Sequence, residues 1–205
     1  MRWSAKSITN CPSSGSTEAP RWRNATRDLE AKARQLAKDW TAEGKEGAAG
    51  KLVSGGQQSI NLLINQLAQF VEQTTEQRIH FILVLPVPIS NQLERIEASR
   101  SGMSQQNLVG VLQGAQKLYR SADGQGLDGY VKQLNAPLAE RLTRQFDAAI
   151  AACQAIGAPL EKVVPDNRAP VERAYEQTHA LEVLCKTDLA SALGVTLTFS
   201  GNDND

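Results

Sequence analysis

The chain has 205 residues, of which 41% are apolar and 21% charged, a composition typical of a globular protein that buries a core. Lysine and arginine together number 22, as do aspartate and glutamate, so the formal net charge is zero. Because a neutral chain lacks the basic surface that nucleic acid requires, we expect no nucleic-acid partner. No stretch reaches the roughly 18 apolar residues of a membrane-spanning helix, so the sequence predicts no transmembrane segment.

The first residues and the cysteines carry few signals. Residues 1–19 are rich in Ser, Thr, Pro and Gly, and we predict that they are disordered. They show neither the apolar core of a signal peptide nor a lipobox before Cys11. Cys153 and Cys185 fall in apolar helical patterns that are typical of buried thiols, with a bridge between them left open as the alternative.

Helical periodicity predicts one ordered domain over residues 20–205. The first helix ends near Gly44, and its apolar residues recur every three or four positions. They are Leu29, Ala33, Leu36 and Trp40. Trp40 therefore has the spacing of a core residue. The glycine-rich stretch from Gly44 to Gly50 is predicted to be a flexible loop, because glycine is costly inside a helix.

The second helix is predicted to be the longest, running from Gln57 to about Leu85, where two prolines end it. Ser104 is predicted as the N-cap of a third helix. A short helix over Leu127–Leu134 follows.

Two further helices are predicted from prolines in their first turns. Pro137 suits the start of one helix and Pro170 the start of the last, which runs towards Gly194. Beyond Gly194, apolar residues alternate with polar ones as in a strand, but a single strand cannot form a sheet. The predicted fold class is all-α, an up-and-down helical bundle of four main helices plus a short one, with an extended C-terminal strip.

The C-terminal sequence resembles the imelysin family. The run Leu193-Gly194-Val195-Thr196, an aromatic residue soon after it, and the acidic ending Asp203-Asn204-Asp205 are similar to the close of those proteins. Earlier segments resemble the second half of the family in the same order. These are EQRI at 76–79, RIEASRSGMS at 95–104, LQG at 112–114 and LY at 118–119.

The resemblance implies that residues 20–205 are the C-terminal half of a protein with two helical bundles. The first bundle, with the GxHxxE motif proposed to hold a metal, is then expected to be missing. Family members are described as periplasmic or cell-envelope proteins, often lipid-anchored, connected with iron uptake and classed with peptidases. We therefore expect the same location here.

His179 and Glu182 form the candidate metal site. Their HxxE spacing places an imidazole and a carboxylate on one helix face, where both could hold iron or zinc. A third ligand is needed, and the other histidine, His80, is predicted on a different helix in an apolar strip. The alternative interpretation is that His179 is a surface or partly buried histidine with no metal.

Glu97, Ser99, Arg100 and Ser101 form the candidate binding surface, a polar segment before a helix. A carboxylate, a guanidinium and two hydroxyls could bind an anion or form a buried network. The alternative is ordinary capping, with an Arg–Glu pair that only fixes the linker.

Two functions follow. The first is an imelysin-like cell-envelope protein that is not catalytic by itself, since the sequence has no HExxH helix, no Cys–His pair with an orienting residue and no GxSxG elbow. The second is a non-enzymatic helical interaction module. Its expected partner is the missing N-terminal bundle or a second copy of the chain.

Overall fold

The computed structural model describes residues 19–41, 47–84, 93–120 and 126–198. Within these ranges all regular elements are helical and there is no strand, so the predicted all-α class is confirmed. The chain divides into two compact units, Met1–Gly56 and Gln57–Asp205. None of the described helices is long and apolar enough to span a bilayer. The disorder predicted for residues 1–19 lies outside the described residues, except that Ala19 begins a helix.

The first unit contains helices α1 (Ala19–Thr41) and α2 (Ala48–Ser54). The prediction of a loop up to Gly50 is wrong for its described part, because Ala48 already begins α2 and good helix formers outweigh one glycine. The core position predicted for Trp40 is also wrong. Leu29, Leu36 and Trp40 are 68%, 59% and 49% exposed. Within this unit α2 has no buried residue and offers no core to cover them.

The second unit is a bundle of four long helices. They are α3 (Gln57–Glu72), α5 (Ser104–Tyr119), α7 (Ala136–Ala155) and α9 (Ala169–Val183). Helix α3 continues through a π-helical segment (Gln73–His80) into α4 (Phe81–Leu83). Helix α9 continues through a second π-helical segment (Leu184–Leu189) into α10 (Ala190–Ala192). Two short helices, α6 (Leu127–Leu134) and α8 (Leu160–Val163), lie between them. The predicted short helix at Leu127 is confirmed. The predicted count of four main helices fits this bundle only, because α1 is a fifth long helix, and α8 was not predicted.

The four long helices pack in a closed ring around one core. Helix α5 packs between α3 and α7, and α9 packs between α7 and α3, while α6 lies against α7. Large apolar side chains from all four helices lie at the centre. Leu67, Leu112, Leu142, Phe146 and Leu181 are all fully buried. Burial of these large side chains is the main source of the bundle's stability.

The helix starts only partly follow the predictions. Pro137 and Pro170 do lie in the first turns of α7 and α9, and the side chain of Asn135 caps α7 by accepting a hydrogen bond from the Leu138 amide at 3.1 Å. The prediction that Ser104 is an N-cap is wrong. Ser104 is the first residue of α5, and its buried hydroxyl is taken by α8 instead, accepting from the Leu160 amide at 2.8 Å and donating to Glu161 at 2.6 Å.

The C-terminal strip lies extended against α3. Asn65 holds it, since its Oδ1 accepts from the Thr198 amide at 2.8 Å and its Nδ2 donates to the Thr196 carbonyl at 3.2 Å. About two turns earlier on the same helix, Gln57 donates to the Leu193 carbonyl at 3.1 Å. Amide side chains thus replace the partner strand that the strip lacks. The predicted contributions of Phe199 and of the acidic ending lie outside the described residues.

Candidate metal centre

Two π-helical segments lie in the bundle: the one after α3 packs against α9, and the one after α9 packs against α3. In each segment a threonine hydroxyl donates a hydrogen bond to a backbone carbonyl of the preceding turn. Thr75 donates to the Val71 carbonyl at 2.9 Å, and Thr187 donates to the Val183 carbonyl at 2.7 Å. Such bonds compete with the regular helical pattern. Because a π segment shifts the register of all that follows, it redirects side chains, and π segments are frequent at functional sites.

A cluster of three metal-ligating side chains lies between the first π segment and α9. The Nδ1 atom of His179 is 3.9 Å from Oε1 of Glu76 and 3.8 Å from Oε2 of Glu182. One ligating atom from each of the three residues lies within 4.8 Å of the others. The HxxE pair on α9 therefore meets a third ligand from the facing helix, which the two residues alone could not provide.

The Glu182 carboxylate is the most buried of the three ligating groups in this cluster. Its side chain is only 8% exposed, and Oε2 is buried with no hydrogen-bond partner. An unpaired buried carboxylate oxygen is costly, and one explanation of such an atom is an ion that it binds. The Nδ1 atom of His179 lies 3.8 Å from Oε2, a distance too long for a hydrogen bond.

Lys186 holds the other oxygen of Glu182. Its ammonium lies 2.8 Å from Glu182 Oε1 and 2.7 Å from Glu72 Oε1. Burial by itself lowers the pKa of Lys186, but hydrogen bonds and charge attraction from Glu182 and Glu72 outweigh burial, so its pKa is raised overall. Lys186 is therefore a fixed cation that anchors one edge of the cluster.

Glu76 is fixed by an aromatic stack. The Tyr175 ring lies between two imidazoles, 5.0 Å from the centroid of His80 and 5.6 Å from that of His179. Tyr175 is hydrogen-bonded to Glu76, and His80 Nδ1 lies 2.9 Å from Glu76 Oε2. Burial raises the pKa of Tyr175, and the Glu76 and Glu182 charges and the Glu76 hydrogen bond raise it further. The phenol therefore stays protonated and donates to the carboxylate.

The donor set fits a transition metal such as zinc or iron(II). One imidazole and two carboxylates are ligands that both ions accept, and outer hydrogen bonds to the ligating carboxylate are typical of metal sites. In a tetrahedral zinc site the ligating atoms lie roughly 3.4 Å apart. The two His179 separations of 3.8 and 3.9 Å are a few tenths of an ångström longer, and the three ligating atoms lie within 4.8 Å of one another, so side-chain rotations must draw them together around an ion.

The structure joins the predicted pair His179 and Glu182 to residues that the sequence did not indicate. Glu76, Tyr175 and His80 were missed as site residues, and His80 was predicted to lie apart in an apolar strip, whereas its ring is half-exposed and stacked in the cluster. A signal was present, because Glu76 and His80 are four residues apart, as are Tyr175 and His179. That spacing puts each pair on one helix face.

The predicted polar segment does not converge on one point. Glu97 pairs with Arg78 of the first π segment, while exposed Arg100 lies 3.5 Å from Glu94. Ser99–Ser101 form a 3₁₀ turn in which the Ser101 hydroxyl donates to the Ala98 carbonyl at 3.0 Å. Ala98 has φ 61°, a conformation rare for a residue other than glycine. A binding role for Glu97, Ser99, Arg100 and Ser101 stays a prediction.

Comparison with known proteins identifies the family. The sequence profile of the imelysin peptidase family matches residues 12–185, most of the chain. The chain belongs to the imelysin family. The predicted family is thereby confirmed, and the matched range includes the motifs at 76–119, whereas the C-terminal run from Leu193 lies beyond it. The family is classed with peptidases. A search of curated proteins finds no match.

The imelysin fold is also found in a solved structure. A crystal structure of an imelysin peptidase from Bacteroides ovatus superposes with a TM-score of 0.62 at 18% sequence identity. The match covers 82% of this chain and 52% of that one, so this chain spans about half the length of the relative. At this identity the likeness shows the fold alone.

Proposed function

We propose that this imelysin-family chain is a cell-envelope, periplasmic protein that serves iron uptake by binding a divalent metal, iron(II) or zinc, and that it is not a peptidase by itself. The observation that carries the proposal is the buried, unpaired Oε2 of Glu182 facing His179 and Glu76. Envelope location and iron uptake are supported by family membership. The bound metal would supply a cationic centre held by these three side chains.

The non-peptidase part of this proposal rests on the carboxylates in and around the cluster, which are all engaged. A metallopeptidase pairs its metal with a free carboxylate that acts as general base. Here Glu76 and Glu182 are themselves the ligands, and the nearby Glu72 is bound by Lys186 at 2.7 Å. No carboxylate among these described residues is left for the base. Binding, transfer or storage of the ion therefore fits the residues better than catalysis.

The test is metal content by mass spectrometry after the purified chain is exposed to iron(II) or zinc and then dialysed. One ion per chain is expected for the natural sequence, and a loss of that ion is expected for His179→Ala. The control is Glu140→Gln, which changes an exposed carboxylate on α7. Unchanged metal content in His179→Ala, or none in the natural sequence, rejects the site. Metal-dependent cleavage of a denatured protein substrate rejects the non-peptidase part.

A second candidate, the helical interaction module, is favoured by apolar side chains on the outer side of α3. Leu62 and Phe70, two turns apart, are large and exposed. The partner in this proposal is the other half of a two-bundle imelysin or a second copy of the chain. Mass in solution tests self-association, since Leu62→Ser with Phe70→Ser should turn a dimer into a monomer. A natural chain that is monomeric throughout contradicts self-association.

A further inference from the structure

Lys186 is the cation built into the candidate metal centre. Its side chain is 20% exposed, and its ammonium bridges Glu72 and Glu182 at 2.7 and 2.8 Å. This bridge ties the second π segment to α3 and to α9. Since Glu182 is itself in the cluster, any ion held there lies close to a permanent positive charge. The charge balance of the site therefore includes Lys186.

The charges of the cluster favour an ion of charge two. Glu72, Glu76 and Glu182 are three carboxylates, and Lys186 offsets one of them, so two negative charges remain when both imidazoles are neutral. His179 must be neutral to ligate. A divalent ion then leaves the cluster uncharged, whereas a trivalent ion leaves a positive charge in a partly buried place. Such an excess charge is unfavourable where solvent screens it poorly.

Lys186 also limits how Glu182 can ligate. Because the ammonium bonds Oε1, Oε2 is the unpaired oxygen of Glu182, and a cation that bound both oxygens would meet the charge of Lys186. Hard ions such as Ca²⁺ and the trivalent lanthanides gather many oxygens, often from both oxygens of a carboxylate. Divalent transition metals are readily bound by one imidazole nitrogen and a few monodentate carboxylates. The number of available ligand oxygens and the net charge of the cluster thus both favour a divalent transition metal.

We propose that Lys186 is the specificity-determining residue of this site, selecting divalent transition metals over trivalent and oxygen-seeking ions. The inference rests on the proposed metal-binding function and extends it to the charge of the ion. In terms of iron, it assigns iron(II) rather than iron(III) as the form bound. Lys186 acts through Glu182 and Glu72 and does not touch the metal.

The experiment compares Co²⁺ with Tb³⁺ in the folded chain. Co²⁺ binding is followed by its visible absorption, and Tb³⁺ binding by luminescence that the neighbouring Tyr175 sensitises. The natural sequence should bind Co²⁺ and bind Tb³⁺ at least about tenfold more weakly. Lys186→Gln keeps a hydrogen-bond donor but removes the charge, and should shift the ratio towards Tb³⁺ by about tenfold or more. Lys186→Arg keeps the charge and should keep the preference for Co²⁺.

Controls separate this inference from the function on which it rests. Lys162→Gln removes an exposed lysine on α8 and should leave both affinities unchanged. If the natural chain binds no Co²⁺, the proposed function itself fails. If it binds Co²⁺ but prefers Tb³⁺, or if the ratio is the same in Lys186→Gln, only the role of Lys186 is overturned.

A second variant covers the case in which Lys186→Gln does not fold, as judged by circular dichroism. Glu72→Gln lowers the negative charge of the cluster by one while Lys186 still holds Glu182. It should weaken Tb³⁺ binding further than Co²⁺ binding. Equal or stronger Tb³⁺ binding in Glu72→Gln overturns the inference.

Discussion

Glu76 Oε1 lies 3.9 Å from His179 Nδ1, although the two residues belong to different helices of the bundle. This relationship converts the HxxE pair of α9 into a set of three ligands. It depends on the first π segment, which sets the direction in which Glu76 leaves its helix. The candidate site is therefore a property of helix packing and not of a local motif.

Removal of Glu76 tests the contribution of the facing helix. We expect Glu76→Gln to weaken Co²⁺ binding at least about tenfold, because a neutral amide replaces a charged ligand. The chain should stay folded, since this side chain is partly exposed. Isothermal titration calorimetry measures the change. The matched control is Glu140→Gln, and equal affinities in the two variants would show that His179 and Glu182 bind without Glu76.

Tyr175 is expected to position Glu76. Tyr175→Phe keeps the ring between the two imidazoles but removes the hydrogen bond to the carboxylate. Loss of such an outer contact typically costs 10- to 100-fold in metal affinity, and we expect about that loss here. Tyr130→Phe removes the hydroxyl of an exposed tyrosine on α6 and should change nothing. An unchanged affinity in Tyr175→Phe would leave the stack with a packing role only.

Ser104 is expected to stabilise the junction of α5 and α8. Its buried hydroxyl accepts from Leu160 and donates to Glu161, so Ser104→Ala leaves both groups without this partner. We expect the free energy of unfolding to fall by about 1–3 kcal/mol. Urea denaturation measures it, with Ser191→Ala at an exposed position as the control. Equal stability of the two variants would contradict this role.

Asn65 is expected to hold the C-terminal strip. In Asn65→Ala the Thr198 amide loses its acceptor, and the strip loses its hydrogen bonds to this side chain. Hydrogen exchange at Thr198 should become faster by about fivefold, as expected for a bond of roughly 1 kcal/mol. Gln66→Ala, on an exposed face of α3, is the control. Unchanged exchange at Thr198 would mean that apolar contacts alone retain the strip.

The two buried thiols predict alkaline destabilisation. Cys153 and Cys185 are free, and burial raises the pKa of each to about 12, with a smaller effect of the Glu182 charge on Cys185. In the unfolded chain a thiol has a pKa of about 8.5. The unfolded state therefore releases protons first, and the stability that the thiols contribute is lost as pH rises from about 9 towards 12.

Urea unfolding between pH 8 and 11 measures this slope. We expect Cys185→Ala to flatten it relative to the natural sequence, although the smaller side chain also lowers stability at pH 8. A thiol reagent should react with Cys153 and Cys185 only after denaturation. Rapid reaction of both in the folded chain would contradict their burial.

The sequence predicted the bundle well because its signals are local and repeated. Leu138, Leu142 and Phe146 recur at helical spacing, and Pro137 marks the start of their helix, so α7 needed no tertiary information. The C-terminal strip was also foreseen, since a single alternating segment has no partner strand. Trp40 shows the limit of this reasoning, because helical spacing indicates a face but not what covers it.

Only two of the three candidate metal ligands could be predicted from the sequence. His179 and Glu182 share a face by spacing, but Glu76 joins them through the register between two helices. That register depends on two π segments, which a period of 3.6 residues does not reveal. Ser104 failed as a cap for a related reason, since its hydroxyl is claimed by α8, a helix distant in sequence.

The central claim is that Glu76, His179 and Glu182 hold one divalent metal, and anomalous diffraction from a crystal of the chain grown with Co²⁺ tests it most directly. We predict a strong anomalous peak in contact with His179 Nδ1, Glu76 and the now paired Oε2 of Glu182. A crystal that shows no peak there, or in which cobalt binds only at other side chains, would contradict the account.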